Sequence, residues 1–277
     1  MNPFAIKEIV KRALDEDLGT GDITSNSILM ENFNTNAVFL VKSPGIIAGL
    51  SVVAEVWHQI DPELNFTPLT KDGTEITPGT EIAKVSGPVK SILAGERVSL
   101  NFIQRLSGIA TKTAQLLKLV EGFPVKVVDT RKTTPGLRIL EKYAVLQGGG
   151  HNHRFNLADA VLIKDNHIAA CGSILEAVKR ARAMVPHTMT IEVEVESEAQ
   201  VHEALEAKAD IIMLDNMSPP QMAAMVRLID KKAIVEASGN IDETTIKEVA
   251  ASGVDIISSG AITHSVKALD ISLDIQQ

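Results

Sequence analysis

The sequence predicts an α/β protein with two domains, a mostly antiparallel domain in the first hundred residues and a parallel β/α barrel after about residue 125. The first part contains short strand-like runs separated by turn signals. The second part repeats a strand-like run followed by an amphipathic stretch of helical period. A chain of 277 residues with 45% apolar content is long enough to bury a core in each domain.

The antiparallel domain is predicted from the segment LTKDGTEITPGTEIAKVSGPVKSILAGE. Its short apolar runs are separated by the pairs Asp-Gly, Pro-Gly and Gly-Pro, which mark tight turns, so we expect an antiparallel sheet with flanking helices. The next segment, SILAGERVSLNFIQRLSGIATKTAQLLKLVEG, has apolar residues at helical spacing and ends at Gly122. It predicts a long helix that links the two domains.

Six strand-like runs follow along the chain: VKVVDT, AVLIK, TIEVEV, DIIMLD, AIVEAS and DIISSG. Buried strands that alternate with helices are typical of a parallel sheet with helical crossovers, and six such units in series favour a barrel. An open doubly wound sheet is the alternative. The residues at the ends of these runs are Arg131, Lys164, Glu194, Asp215, Ser238 and Gly260. In a parallel barrel these ends converge on one mouth, so we expect the six residues to surround one ligand.

The composition excludes several classes of partner. A formal charge of −8, a pI near 5.4 and only 3% aromatic residues argue against nucleic-acid binding. No apolar run approaches membrane length, and charges interrupt the apolar residues of the N-terminus, so neither a membrane segment nor a signal peptide is predicted. The single Cys171 allows no internal disulfide and suits a reducing compartment. We therefore expect a cytoplasmic protein.

Positive charge is concentrated between Asp129 and His167, in the segment DTRKTTPGLRILEKYAVLQGGGHNHRFNLADAVLIKDNH. Its basic residues are Arg131, Lys132, Arg138, Lys142, His151, His153, Arg154, Lys164 and His167. Such a cluster in an acidic protein indicates a pocket for a small, highly anionic ligand.

This segment, together with EDLGTGDITS, ERVSLNFIQRLSGIAT, IEVEVES, MLDNMSP and GAITHS, resembles the quinolinate phosphoribosyltransferase family in order from about residue 16 to 266. The resemblance implies an enzyme of NAD biosynthesis that converts quinolinate and 5-phosphoribosyl 1-diphosphate to nicotinate mononucleotide, diphosphate and CO2. It also implies an N-terminal α/β sandwich domain, residues 1–109, and an open α/β barrel, residues 110–266, with residues 267–277 packing on the sandwich. The family barrel has seven strands. Either the missing strand lies near the linker, or one of the six runs is misassigned.

The resemblance implies roles for the basic residues. Arg131, His153 and Arg154 would hold the two carboxylates of quinolinate, which planar guanidinium groups match in a paired geometry. Lys132 and Lys164 lie nearby as catalytic stabilisers of negative charge. Arg97 would act from the neighbouring subunit, which predicts a homodimer or a higher even oligomer.

Glu194 and Asp215 end adjacent strands opposite these cations. Carboxylates so placed suit Mg²⁺, which is bound by few protein ligands together with water and substrate oxygens. We therefore predict Mg²⁺ as the cofactor and both acids as catalytic metal ligands.

Ser238-Gly239 and Ser259-Gly260 follow strands and precede helical patterns, so their backbone amides could hold the 5-phosphate. Many family members have Gly-Gly after the first serine, whereas this chain has Gly239-Asn240. Asn tolerates the left-handed conformation better than most residues, so the loop is expected to persist.

Other hypotheses compete with this one. His151 and His153 alternate like zinc ligands, but no third ligand follows at a recognisable spacing, so zinc is not predicted. Lys164 at a strand end could form a Schiff base in an aldolase. A non-catalytic regulator that binds a pyridine carboxylate or a phosphosugar is another alternative. A related phosphoribosyltransferase acting on nicotinate or another pyridine carboxylate is a further one, although one carboxylate requires fewer arginines.

Overall fold

A computed structural model describes residues 1–276 of the chain. The helices are α1 (Pro3–Leu18), α2 (Ile23–Ile28), α3 (Leu50–Ile60), α4 (Val89–Leu119), α5 (Arg138–Gln147), α6 (Asp165–Cys171), α7 (Ile174–Met184), α8 (Glu198–Glu206), α9 (Pro219–Ile229), α10 (Ile246–Ala251) and α11 (Ala261–His264). The strands are β1 (Asn34–Val41), β2 (Gly45–Ile46), β3 (Asn65–Pro68), β4 (Glu75–Ile76), β5 (Glu81–Pro88), β6 (Lys126–Val128), β7 (Val161–Ile163), β8 (Ile191–Val195), β9 (Ile211–Asp215), β10 (Ile234–Ser238), β11 (Ile256–Ser258) and β12 (Ile271–Gln276).

Packing divides the chain into two units. Unit 1 consists of residues 1–114, residues 133–149 and the segment from residue 265 onward, and unit 2 consists of residues 115–132 and 150–264. The domain boundary near residue 109 stays a prediction. Among residues 1–276, no helix combines the length and the apolar character that crossing a bilayer requires.

Unit 1 contains the predicted antiparallel sheet, with strand order β12-β1-β5-β3. The turn signals lie where they were predicted, because Gly73 and Gly79 both adopt φ +85°, a conformation that glycine tolerates best. The core of this unit forms around Phe39, whose ring meets the edge of Trp57 at a centroid distance of 6.2 Å. The prediction of a small sheet with flanking helices is confirmed.

Unit 2 contains a six-stranded parallel sheet, with strand order β6-β11-β10-β9-β8-β7. Each of the six predicted runs forms one of these strands, which are rich in Val, Ile and Leu because both faces of a parallel sheet are covered. Helices connect the successive parallel strands from β7 to β11, so the predicted barrel-like parallel architecture is confirmed.

A seventh position in this sheet is a single parallel bridge between His151 and Val128, beside β6. The N–H of His151 donates to the carbonyl of Val127, and the N–H of Asp129 donates to the carbonyl of His151. The expectation of a further strand near the linker is therefore wrong. The additional position comes from the basic segment, which this bridge fixes against the sheet.

Candidate functional site

The carboxyl ends of the parallel strands carry the residues that were predicted there. Asp215 and Ser238 are the last residues of β9 and β10, Glu194 is the penultimate residue of β8, and Lys164 follows β7 directly. Arg131 and Gly260 lie in the loops after β6 and β11. All six belong to unit 2, so one rigid scaffold supports them.

Strand register places the acidic residues on one face of the sheet. Ser238 pairs directly with Asp215, while Glu194 pairs with Met213, two residues before Asp215. Because side chains alternate along a strand, Glu194, Met213 and Asp215 share a face. The two carboxylates therefore lie on the same face of neighbouring strands.

Within residues 1–276, each carboxylate at the strand ends has one protein partner. Nζ of Lys164 lies 2.5 Å from Oε2 of Glu194, and the side-chain exposures are 44% for the lysine and 12% for the glutamate. Nδ2 of Asn216 donates to Oδ2 of Asp215 at 2.6 Å. The other oxygen of each carboxylate has no hydrogen-bond partner among residues 1–276, and carboxylate oxygens are the ligands that Mg²⁺ prefers. The donor set therefore fits Mg²⁺.

The segment that carries Arg154 is anchored at several points. The buried carboxylate of Asp129 accepts the backbone N–H of His153 at 2.9 Å, and Nη1 of Arg154 donates to the carbonyl of Ala160 at 3.0 Å. Burial lowers the pKa of Arg154, and the positive charge of Arg131 lowers it further. The charges of Glu192 and Asp159 act in the opposite direction, and an anionic ligand would likewise offset the repulsion from Arg131.

A buried cluster of three titratable residues lies below the strand ends, and the sequence interpretation missed two of them. Nε2 of His153 lies 3.2 Å from Oε2 of Glu192 and 3.5 Å from Oε1 of Glu236. Glu192 is 4% exposed and Glu236 is 1% exposed. Strand alternation could have found them, because Glu192 lies two residues before Glu194 and Glu236 lies two residues before Ser238, on the same faces.

The cluster holds an additional proton at neutral pH. Burial lowers the pKa of His153, but hydrogen bonds to Glu192 and Glu236 outweigh this effect and raise the pKa to about 10. Burial also raises the pKa of Glu192. Nδ1 of His153 lies 2.7 Å from the backbone nitrogen of Arg154. The Oε1 atoms of Glu192 and Glu236 have no hydrogen-bond partner of good geometry within residues 1–276.

Lys132 is positioned by the loop after β11. The hydroxyl of Thr263 donates to the carbonyl of Lys132 at 2.8 Å. The lysine side chain passes over Gly260, where an added Cβ would lie 3.0 Å from Cδ of Lys132 and 2.9 Å from the ring of His264. Glycine at this position therefore leaves room for the lysine to cross the loop.

The two proposed phosphate loops are tightly connected. Gly239 has φ +98°, and Asn240 has φ +52°, so Asn240 adopts the left-handed conformation that the sequence allowed. A Cβ on Gly239 would overlap the amide oxygen of Asn216. The hydroxyl of Ser259 donates to the carbonyl of Ile241 at 2.6 Å, which joins the loops after β10 and β11.

The helices that follow these loops differ from expectation at one point. Helix α11 begins directly after Gly260 but has only four residues. Helix α10 begins at Ile246, several residues after Gly239, so the amides next to Ser238 belong to a loop rather than to a helix terminus. Gly239 and Asn240 both have positive φ, so the chain is not helical directly after Ser238.

Arg97 and His151 lie outside the groups described so far. Arg97 is on α4 in unit 1, and its side chain is exposed. Within residues 1–276, the group of at least three His, Cys, Asp or Glu side chains with metal-ligand spacing is His153, Glu192 and Glu236, and His151 does not belong to it.

These features define a class of protein: a parallel α/β barrel whose strand ends carry both basic side chains, among them Arg131 and Lys164, and the carboxylates of Glu194 and Asp215. Residues 109–274 match the family model described as quinolinate phosphoribosyl transferase, C-terminal domain, and residues 22–107 match the N-terminal domain of the same family. The chain belongs to the quinolinate phosphoribosyltransferase family. It is a phosphoribosyltransferase of NAD biosynthesis.

Full-length relatives agree with this assignment. The chain is 48% identical over 275 residues to a probable nicotinate-nucleotide pyrophosphorylase (carboxylating) of Bacillus subtilis, and the match covers 99% of this chain and 95% of the relative. The structure of the nicotinate-nucleotide pyrophosphorylase from Francisella tularensis has a TM-score of 0.96 and 42% identity, and the match covers 100% of this chain and 98% of that one. A NadC structure from Streptococcus pyogenes has a TM-score of 0.95 and 45% identity, covering 100% and 99%. The aldolase and regulator hypotheses are therefore wrong.

Proposed function

We propose that the strand ends of unit 2 bind quinolinate and 5-phosphoribosyl 1-diphosphate together and release nicotinate mononucleotide, diphosphate and CO2. The observation that carries this proposal is the pair of neighbouring guanidinium groups of Arg131 and Arg154. Quinolinate has two adjacent carboxylates, and each guanidinium can bind a carboxylate through two parallel hydrogen bonds. The match in charge and number favours quinolinate over nicotinate, which has a single carboxylate.

Glu194 and Asp215 would hold Mg²⁺ together with the diphosphate of the donor. Their position on one face of adjacent strands, with one partner each, leaves carboxylate oxygens available for the cation. When bound, Mg²⁺ would neutralise the charge that develops on the leaving diphosphate. Lys164, paired with Glu194, and Lys132, beside Gly260, add positive charge on the same side.

The reaction follows from this placement of charge. The bond between C1 of the ribose and the diphosphate loosens, and the ring nitrogen of quinolinate attacks the cation-like carbon. The nitrogen then carries a positive charge, which stabilises the electron pair left on the ring when the 2-carboxylate departs as CO2. A proton replaces the lost carboxylate. Arg131 and Arg154 orient the ring, while Lys132 and Lys164 stabilise negative charge as catalytic residues.

The loops after β10 and β11 would bind the 5-phosphate of the donor through Ser238, Gly239, Ser259 and Gly260. The support for this role is local geometry: the absence of a side chain at Gly239 lets the loop pack against Asn216, and the Ser259 hydrogen bond to Ile241 holds the loops together. Asn240 in a left-handed conformation preserves the turn.

A product assay tests the function. Purified protein, quinolinate, the phosphoribosyl donor and Mg²⁺ should yield nicotinate mononucleotide and CO2 in equal amounts. Nicotinate in place of quinolinate is the matched control and should give much slower turnover. Nucleotide formation from nicotinate at an equal or higher rate would instead assign the chain to the mono-carboxylate substrate.

Assembly is a further part of the proposal. We propose an even oligomer, at least a homodimer, in which the exposed Arg97 of α4 reaches the site of the neighbouring subunit. Shielding the clustered cations from water would strengthen every contact to the anionic substrates. The single Cys171 and the acidic composition support a cytoplasmic location, which fractionation of the native cells can test.

Complementation between variants tests the shared site. Arg97→Ala and Arg131→Ala chains should each be nearly inactive alone, because every site then lacks one cation. In a mixed dimer one site carries both substitutions and the other carries neither. Random exchange makes about half of the dimers mixed, so about one quarter of the wild-type activity should return. If mixed dimers form, as measured by mass spectrometry, and activity does not return, Arg97 acts within its own subunit.

A further inference from the structure

Asn216 connects the end of strand β9 with the loop after strand β10. Its backbone N–H donates to the carbonyl of Ser238 at 3.0 Å. Its side-chain Oδ1 accepts from Nδ2 of Asn240 at 3.3 Å, and the same oxygen occupies the space that a Cβ on Gly239 would need. The side chain of Asn216 is therefore held between Asp215, the residue before it, and the loop that carries Asn240.

The chemistry of these groups fixes the direction of the hydrogen bonds. An ionised carboxylate can only accept, so the Asn216 atom that lies 2.6 Å from Oδ2 of Asp215 must be the donor Nδ2. Oδ1 of Asn216 then faces the other way, where it requires a donor, and Nδ2 of Asn240 supplies one. Because Oδ2 of Asp215 accepts from Asn216, Oδ1 is the carboxylate oxygen that is available to a cation.

Both asparagines adopt the left-handed backbone conformation, each with φ +52°. Residues other than glycine adopt this conformation at a cost in energy, and such residues cluster at functional sites. A glycine would adopt the same φ at a lower cost but would supply no side-chain amide. The amide groups are therefore what Asn216 and Asn240 contribute beyond the shape of the backbone.

We propose that Asn240 and Asn216 are positioning residues for the cation site. Hydrogen bonds from Asn240 to Asn216 and from Asn216 to Asp215 form a relay, which holds the Asp215 carboxylate so that Oδ1 can bind Mg²⁺. This inference rests on the proposed function, in which Asp215 binds Mg²⁺ and the loop after β10 binds the 5-phosphate of the donor. It adds a physical connection between the two ends of the same donor molecule.

A direct hydrogen bond from Asn240 to the 5-phosphate is the alternative use of the same amide. A direct contact would contribute to the affinity for the donor whether or not Mg²⁺ is present. The relay acts through Asp215, so its contribution depends on the cation. The two roles therefore differ in how the loss of the amide affects donor binding with and without Mg²⁺.

Calorimetry of donor binding in the absence of quinolinate separates the two roles. The ratio of the dissociation constants measured without and with Mg²⁺ gives the contribution of the cation. Asn240→Gly permits the same φ and removes only the amide. If the relay holds, the variant should lower this ratio about 3- to 10-fold, the effect of one hydrogen bond, and leave Mg²⁺-free affinity within about 2-fold of wild type. An equal loss in both conditions, or an unchanged ratio, would overturn the relay.

A double-mutant cycle tests whether the two asparagines act in series. Asn216→Gly breaks the relay at its centre, so adding Asn240→Gly to this variant should lower the ratio no further. Losses that add would show two independent contributions and reject the relay. Lys231→Gly is the matched control, because Lys231 is an exposed left-handed residue, with φ +61°, at the opposite end of β10 from Ser238. The control should keep the wild-type ratio.

The outcomes distinguish this inference from the proposed function. Wild-type protein whose affinity for the donor does not respond to Mg²⁺ rejects the proposed cation site, and the relay with it. Wild-type protein that responds to Mg²⁺ while Asn240→Gly keeps the full response rejects only the relay. Thermal unfolding of each variant is recorded in parallel. If Asn216→Gly fails to fold, the ratio measured for Asn240→Gly decides, because that substitution lies in the loop after β10.

Discussion

Unit 1 and unit 2 each contain buried glutamates, but the hydrogen bonding of the carboxylates differs between the units. In unit 1, Oε1 of the fully buried Glu141 accepts from Nε and Nη2 of Arg105 at 2.9 and 2.5 Å, and Oε2 accepts the N–H of Thr134 at 3.1 Å. In unit 2, Glu192 and Glu236 each leave Oε1 without a hydrogen-bond partner of good geometry, within the residues that the structure describes. Both carboxylate oxygens of Glu141 therefore accept hydrogen bonds, whereas Glu192 and Glu236 each have one oxygen without such a bond.

This difference in hydrogen bonding distinguishes buried glutamates that stabilise the fold from buried glutamates that serve a functional site. A buried carboxylate with a complete set of donors stabilises the fold, because its desolvation is compensated. A buried pair with incomplete hydrogen bonds costs stability and persists where it serves a site. The pair in unit 2 lies directly beneath the strand ends, which is where the proposed reaction takes place.

The largest expected effect concerns the carboxylates at the strand ends, which have one protein partner each in the part of the chain that the structure describes. The double substitution Glu194→Gln and Asp215→Asn should reduce turnover by about 10³-fold or more, equivalent to about 4 kcal/mol, because the proposed cation site is lost. Quinolinate affinity, measured by calorimetry, should change little. A double variant with wild-type rate and Mg²⁺ dependence would place the metal elsewhere.

Stability tests the comparison between the two units directly. Glu141→Gln offers one acceptor oxygen in place of two, so either Arg105 or Thr134 loses its acceptor, and the free energy of unfolding should fall by about 3 kcal/mol. Glu236→Gln should cost about 1 kcal/mol or less, because the contact of its Oε1 with Nε2 of His153 is long, at 3.5 Å. Urea unfolding measures both. An equal decrease in the free energy of unfolding for the two variants would contradict the proposed difference between Glu141 and Glu236.

The arginines Arg105 of unit 1 and Arg154 of unit 2 differ in the same way as the buried glutamates. Arg105 is satisfied within the chain, by Glu141 and by the hydroxyl of Thr134, whereas Arg154 lies beside another cation, where an anionic substrate can bind. Arg154→Lys should therefore preserve folding and weaken quinolinate binding by about 1.5–3 kcal/mol, the range for hydrogen bonds to charged groups. Calorimetry gives the affinity, and an unchanged value would remove Arg154 from the substrate site.

The smallest expected effect is on the pH dependence of stability. In the folded protein, hydrogen bonds to Glu192 and Glu236 raise the pKa of His153 to about 10, above the ordinary histidine value of 6.5. A raised pKa contributes stability that is fully present below pH 6.5 and is lost as the pH rises toward 10. Glu236→Gln weakens the cause of the shift, so its free energy of unfolding should decline less than that of wild type between pH 6.5 and 10. Chemical denaturation at several pH values measures this difference, and parallel curves for the two proteins would contradict it.

Local pattern in the sequence determines much of this protein by itself. Alternating runs rich in Val and Ile, separated by helical stretches, identify all six parallel strands, because the period of apolar residues reflects local backbone geometry. Ends of those runs predict which side chains, among them Glu194, Asp215 and Ser238, share one side of the sheet. The Asp-Gly and Pro-Gly pairs locate turns for the same reason: glycine conformation is a local property.

Tertiary structure alone decides the rest. His151 supplies the seventh position of the sheet through one bridge, a contact with Val128 that no repeating pattern predicts. Glu192 and Glu236 resemble ordinary polar residues in their strands, and only the approach of His153 from a distant loop joins them into a network. Segments 133–149 and 150–264, adjacent in sequence, belong to different units. Hydrophobic periodicity predicts which residues face inward. It does not predict which distant residues will contact each other, because those contacts depend on the packing of the whole chain.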